Sequence, residues 1–214
     1  MRRSAFCAAI LCVACASLTV GQSPPPPILS AQYSVAFMEE IFSDEPVFLA
    51  GFIYYDYDNL VTRTDLVRAG SMSNLLVNYG NGTSITSTQT NGATACSATS
   101  IGGTMMPPNY LQTFDYAGEA TVMGQNCYLW SGKEGPLHVT IYTDVESGFL
   151  VAEQDTVYIA GVANTDMFFY QGYTESLPAG FDITATPCTT SSAANMPDAD
   201  AVDVRLPGIF RIRH

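Results

Sequence analysis

Apolar and polar positions alternate with a period of two along most of this chain, and the three-to-four period of an amphipathic helix is scarce. Tyr33, Val35 and Phe37 alternate with Ser34, Ala36 and Met38, and Leu60 to Arg68 alternates in the same way. Between them, Pro46 to Tyr57 (PVFLAGFIYYDY) is apolar on both parities, the pattern of a strand covered on both faces. Segments rich in Val, Thr, Tyr and Phe predict further strands at Asn74 to Tyr79, Ser84 to Gln89, Gly118 to Met123 and Asn126 to Trp130. Four more follow at Leu137 to Thr143, Gly148 to Ala152, Thr156 to Ala160 and Met167 to Tyr173. Asp58-Asn59, Asn81-Gly82, Asn91-Gly92, Gly132 to Pro136 and Glu146-Ser147-Gly148 supply turns between them. A short helix fits near Pro107 to Phe114. Eight or more short strands at this spacing predict a mainly β fold: an antiparallel sheet that curls or closes, with at most one or two short helices.

The two ends break the pattern. Met1-Arg2-Arg3 leads an apolar run from Ala5 to Val13, followed by small residues at Ala14 and Ala16. This is a signal peptide, residues 1–21, with cleavage expected after Ala16 or after Gly21. The run is too short to span a bilayer, and nothing later reaches that length. Residues 22–30 hold Pro24 to Pro27, a stiff polyproline spacer. Residues 31–188 read as one β domain, long enough for a sizeable core. Residues 189–214 are rich in Thr, Ser and Asp and read as a loosely ordered tail. The expected location is secreted, where thiols oxidise.

Charge narrows the partners. The chain has 8 basic and 20 acidic residues; without Arg2 and Arg3 the balance is 6 against 20, a net of −14. Such a surface repels phosphate backbones, which excludes nucleic-acid binding.

Candidate catalytic chemistry is thin. The histidines are His138 and His214, and no CxxC or HExxH spacing is present. Cys127 with His138 would be a thiolate pair without a third orienting group, so a structural or unpaired cysteine is the better reading. Asp56, Asp58 and Asn59 begin like a calcium loop, but Leu60, Val61 and Val67 stand where the ligands and glycine belong, which favours a turn. No catalytic motif, cofactor site or metal site is assigned. Asn81-Gly82-Thr83 is an N-glycosylation sequon on an expected hairpin tip. The remaining excess is aromatic: Phe52, Tyr54, Tyr55 and Tyr57 on one strand, Phe168, Phe169, Tyr170 and Tyr173 on another. A curved sheet lined by aromatics on its concave face holds an apolar ligand. Phe52, Tyr54, Tyr142, Phe168 and Tyr170 are the expected contacts, with the parity of each strand deciding which face they occupy.

The order of landmarks resembles the ependymin-like family of secreted proteins. Tyr57-Asp58-Asn59-Leu60-Val61-Thr62-Arg63 resembles its Y-D-G-x-x-x-R hairpin, with Asn59 in place of glycine. Leu75 to Thr83, Cys96, Phe114 to Trp130, and Phe168-Phe169 onward to Pro178, Phe181, Pro187 and Cys188 resemble later landmarks. The resemblance implies a LolA-like half-barrel with a hydrophobic pocket for a lipid-like molecule, and a disulfide between Cys96 and Cys188. It also implies homodimers and calcium association for some members. Cys127 departs from the pattern, since an aliphatic residue is usual there. The expectation is thus a secreted, non-enzymatic protein holding a lipid or fatty acyl group. The alternative is an extracellular structural or adhesion protein with a filled core and no ligand.

Overall fold

The computed structural model describes residues 23–41, 47–68, 71–159, 161–186 and 188. The expected signal peptide with its cleavage site, and the tail expected after Cys188, lie outside the described residues.

Eleven strands form one sheet: β1 Gln32–Ile41, β2 Val47–Asp56, β3 Val61–Arg68, β4 Ser71–Asn78, β5 Thr83–Thr90, β6 Ala93–Ser100, β7 Asp115–Val122, β8 Gln125–Glu134, β9 Leu137–Asp144, β10 Leu150–Ile159 and β11 Val162–Thr174. Their order is β6-β5-β4-β3-β2-β1-β11-β10-β9-β8-β7, with every neighbouring pair antiparallel. The pairing of the first strand with the last joins two meanders, and the sheet curves into a half-barrel without closing. Bulges between Tyr116 and Gly118, between Leu150 and Ala152, and between Ser34 and Ala36 add local bends.

Burial follows the alternation. On β1, Tyr33, Val35 and Phe37 are buried on the concave face, and Ile53 and Tyr55 face them from β2. Leu75 and Val77 come from β4, Trp130 from β8, Val139 and Ile141 from β9, and Phe168 and Tyr170 from β11. Gly51 sits where no side chain fits: a Cβ there would lie 2.1 Å from the Asp65 carbonyl oxygen and 3.0 Å from the Phe37 ring.

Two irregular segments clamp the sheet from opposite sides. The β6–β7 connection, residues 101–114, crosses the concave face and buries Met105, Met106, Leu111 and Phe114 in the main core. It contains one 3-10 turn, Tyr110–Thr113. Phe114 rests on Gly132, where a Cβ would come within 2.7 Å of its ring. After β11, residues 177–186 form a strap across the convex face. Ile183 packs with Val61 and Leu76, and Phe181 stacks on Tyr54 at 4.2 Å. Arg63 lies 5.3 Å from the Phe181 ring centre and donates from Nη1 to the Ala185 carbonyl at 2.6 Å. A disulfide from Cys188 to Cys96 on β6 ends the strap, the pairing that the family resemblance implies.

Two strands differ from expectation. β6 (ATACSATS) has no large apolar residue and was not expected. β10 is one strand, where the sequence predicts two pieces. Glu153, Gln154 and Asp155 interrupt its apolar pattern, yet Glu153 and Asp155 are buried.

Candidate functional site

The concave face is an aromatic trough. Tyr33 stacks between Tyr55 at 4.7 Å and Tyr173 at 5.0 Å, and Tyr173 continues the column to Phe149 at 4.5 Å. Phe37 meets Phe168 at 6.3 Å further along. Trp130 donates its indole N–H to Thr143 Oγ1 at 2.8 Å, which satisfies the one polar atom of a buried ring. The 101–114 connection covers this trough and is tied at its start by the Ile101 amide, which donates to the Gly82 carbonyl at 2.9 Å. The Tyr55 hydroxyl donates to the Met106 carbonyl, and the Leu29 amide donates to the Pro108 carbonyl at 3.0 Å.

One end of the trough is acidic. Phe168 lies opposite Glu39 on one side and Glu153 on the other; one step along, Asp166 lies opposite Ile41 and Asp155. All four carboxylates are buried, and none is without a partner. The Tyr170 hydroxyl donates to Glu153 Oε2 at 2.9 Å. Burial, followed by the Glu153 charge, holds the Tyr170 hydroxyl well above the ordinary phenol range. Burial does the same for Tyr33 and Tyr55, and pushes Tyr173 up to about 12. These tyrosines stay neutral at any physiological pH, and Tyr55 and Tyr170 act as donors.

The five expected contacts divide between the faces. Phe168 and Tyr170 lie in the trough, both buried. Phe52, Tyr54 and Tyr142 lie on the convex face: Phe52 is 49% exposed and Tyr54 stacks under the strap. The concave assignment of those three is therefore corrected. β2 is apolar on both parities, so its sequence carries no signal for which set turns inward; Ile53 and Tyr55 do. Tyr142 alternates with buried Val139, Ile141 and Thr143 along β9, one parity step from the trough. The trough aromatics left out of the expected contacts are Tyr33, Phe37, Tyr55 and Trp130, although the alternation of β1 marks the first two and Tyr55 belongs to the aromatic excess of β2.

The catalytic alternatives separate. Cys127 pairs with Asp144 across β8 and β9, whereas His138 pairs with Lys133, six residues or about 20 Å along β8. Burial raises the Cys127 thiol, which disfavours a thiolate. Asp56 caps its turn, accepting from the Asn59 amide at 3.1 Å and side-chain N–H at 2.7 Å. Among the described residues no group of three or more acidic, His or Cys side chains is arranged to hold a metal ion, and no helix is long and apolar enough to cross a membrane.

The molecule is thus a curved antiparallel half-barrel with an aromatic trough under a crossing segment. The chain belongs to the family described as Domain of unknown function (DUF8395), which matches residues 32–176, from the first residue of β1 to just past the end of β11. The ependymin-like resemblance rests on motif order alone. No curated protein matches the chain. Among solved structures, it is similar to an uncharacterized conserved protein from Thermus thermophilus, with 9% identity and a TM-score of 0.45 over 79% of this chain and 88% of that one. A LolA superfamily protein from Nitrosomonas europaea shares 8% identity over 69% of this chain and 87% of its own, with a TM-score of 0.33. MucB, solved in complex with MucA(peri), shares 15% identity over 73% of this chain and 54% of its own, with a TM-score of 0.33. None of the three lends a ligand or an activity to this chain.

Proposed function

We propose that the protein is an exported, non-enzymatic binding protein that takes an apolar ligand into the aromatic trough by displacing the 101–114 connection. One observation carries this reading: an irregular segment, rather than a sheet or a long helix, covers the aromatic face and packs Met105, Met106, Leu111 and Phe114 against it. Met105 and Met106 fill the space beneath it, and methionine is the side chain that most readily repacks around a guest. An acyl chain that replaces them gains about 0.8 kcal/mol per buried methylene, enough for micromolar affinity from a modest chain once association costs are met. The acidic end of the trough disfavours a fatty-acid carboxylate, so a lipid with a neutral or cationic head group suits it better than the free acid. The disulfide and the signal peptide favour export. Asn81 is exposed on the β4–β5 turn and accepts the Thr83 hydroxyl at 2.6 Å, which leaves its sequon open to glycosylation in a eukaryotic host.

Native mass spectrometry of the purified protein, with organic extraction, tests the reading together with titration of fluorescent acyl probes bearing carboxylate, neutral and amine heads. The expected result is co-purified lipid and probe affinity in the order amine or neutral above carboxylate. Tyr55→Phe, which loses the tether to Met106, should bind the neutral probe about three- to tenfold more tightly. A protein that emerges empty and takes up no probe, Tyr55→Phe included, overturns the proposal. The second reading, an extracellular adhesion or structural protein, has its own supporting observation: large apolar side chains stand exposed on the convex face. It requires those side chains, and not the trough, to meet a partner.

A further inference from the structure

The convex face is organised in rows set by the strand register. The strap covers the row Tyr54, Arg63, Leu76, Ile85. The next row carries Asp65, Asn74 and Ser87, joined by hydrogen bonds from Asn74 Nδ2 to Asp65 at 2.6 Å and from Ser87 Oγ to Asn74 at 3.2 Å, and it ends at Cys96. The row beyond is apolar across five strands: Phe169, Met38, Ala50, Val67 and Met72 stand directly opposite one another in sequence. Met38, Val67 and Met72 are 40%, 52% and 45% exposed, and Phe48 and Phe52 flank the row from β2 at 59% and 49%. Val67 and Met72 also line an open groove of about 460 Å³ that reaches Gln89 and Thr94. A contiguous exposed apolar band of this kind on an acidic exported protein marks a contact surface.

We propose that this band is the docking site of the chain's own Leu206–Arg213 segment (LPGIFRIR). Three observations select that occupant. First, the disulfide delivers the chain to the right place. Cys188 is fixed to Cys96, and the next convex-facing residue of β6 is Thr94, at the end of the groove. Second, the reach is ample. Seventeen residues lie between Cys188 and Leu206, up to about 60 Å of extended chain, whereas the band spans about 19 Å. Third, the chemistry matches. Leu206, Ile209, Phe210 and Ile212 supply apolar side chains, and Arg205, Arg211 and Arg213 are three of the chain's 8 basic residues, against 20 acidic ones. The strap already uses the same pairing on the same face, where Phe181 lies between Tyr54 and Arg63. The docked segment extends the strap's cover by one band, and this cover does not depend on whether the trough holds a ligand.

The test is disulfide trapping in the full chain. Val67→Cys with Ile209→Cys should form an intramolecular link, mapped by peptide mass spectrometry, in at least fivefold higher yield than Tyr158→Cys with Ile209→Cys. Tyr158 is equally exposed but lies on β10. In parallel, Phe210→Asp lies in the tail and leaves the sheet intact; it should raise the fluorescence of an apolar surface dye at least twofold. Equal yields for the two cysteine pairs, or unchanged dye binding, overturn the proposal. A link that forms only between two chains also overturns it, and assigns the band to a second copy.

Discussion

The two faces of this sheet are built from the same residue types and treated in opposite ways. On β2, Ile53 and Phe52 are adjacent, yet the first is 0% exposed and the second 49%. Tyr33, Phe37, Phe168 and Trp130 are buried in the trough, while Phe48 and Met72 stand in solvent on the other side. Each face has its own clamp. The one over the trough is held by side-chain packing and by the tethers from Tyr55 and Leu29. The one over the convex face is tied by a covalent bond. A packed clamp therefore lies over the trough, and a covalently anchored one over the convex face. Under the proposed binding function, the clamp that has to open is the one without a covalent anchor.

The clamps differ most in what their loss costs. Replacing Cys188 by serine removes a cross-link that closes a 92-residue separation. In the chain-entropy treatment this destabilises the fold by about 4 to 5 kcal/mol, less any native strain. A urea midpoint that does not move, with the strap still protected from proteolysis, would show that the convex clamp depends on packing alone. Truncation of one aromatic on each face sharpens the contrast. Phe168→Ala empties a fully buried site and should cost about 3 to 5 kcal/mol. Phe52→Ala, half in water, should cost less than about 1 kcal/mol. Similar losses at the two positions, read from equilibrium unfolding, would mean that Phe52 is covered in solution.

Much of this arrangement was legible from periodicity. β1 and β3 follow from alternation, β4, β5 and β9 from their strand-forming composition, and a short helical turn lies within the expected Pro107 to Phe114. Legibility failed where burial and polarity part company. β6 consists of small and hydroxyl residues that neither announce a strand nor mark a face. β10 looked broken because Glu153 and Asp155 face inward. Of the five expected contacts, the concave placement was legible for Phe168 and Tyr170, while Phe52, Tyr54 and Tyr142 lie on the convex side. A strand apolar on both parities gives no local clue to its orientation. What turns Ile53 inward is long-range register against Val35 on β1 and Thr64 on β3, which no window of β2 contains.

The faces should also fail at opposite ends of the pH scale. In the trough, Tyr33, Tyr55, Tyr170 and Tyr173 all titrate above the ordinary value of 10.0, chiefly because burial penalises the phenolate. A raised folded-state value means that the stabilisation is complete below pH 10. It is lost as pH rises further, because the unfolded chain ionises first. The melting temperature should hold to about pH 10 and then fall, with buried tyrosinate absorbance appearing only on unfolding. Ionisation of Tyr33 or Tyr170 near pH 10 in the folded protein, followed by their own ring resonances, would contradict a sealed trough.

The strap responds to acid, and this is the smallest of the effects. The Asp182 carboxylate accepts from the Thr184 hydroxyl at 2.7 Å and from the Thr184 amide at 2.9 Å, and these bonds lower its pKa below the ordinary 3.8. A lowered folded-state value places the stabilisation above that pH, and it is lost as pH falls through the folded-state pKa. The group is fully exposed, so the consequence is local: the turn at the middle of the strap loosens while the disulfide keeps its far end in place. The Thr184 amide resonance should titrate with a midpoint below 3.8, and Asp182→Asn should abolish that titration without moving the trough tyrosines. Should acid instead disturb the trough at the same midpoint, the two clamps are coupled through the sheet, and a ligand that lifts the 101–114 connection would also be felt by the strap.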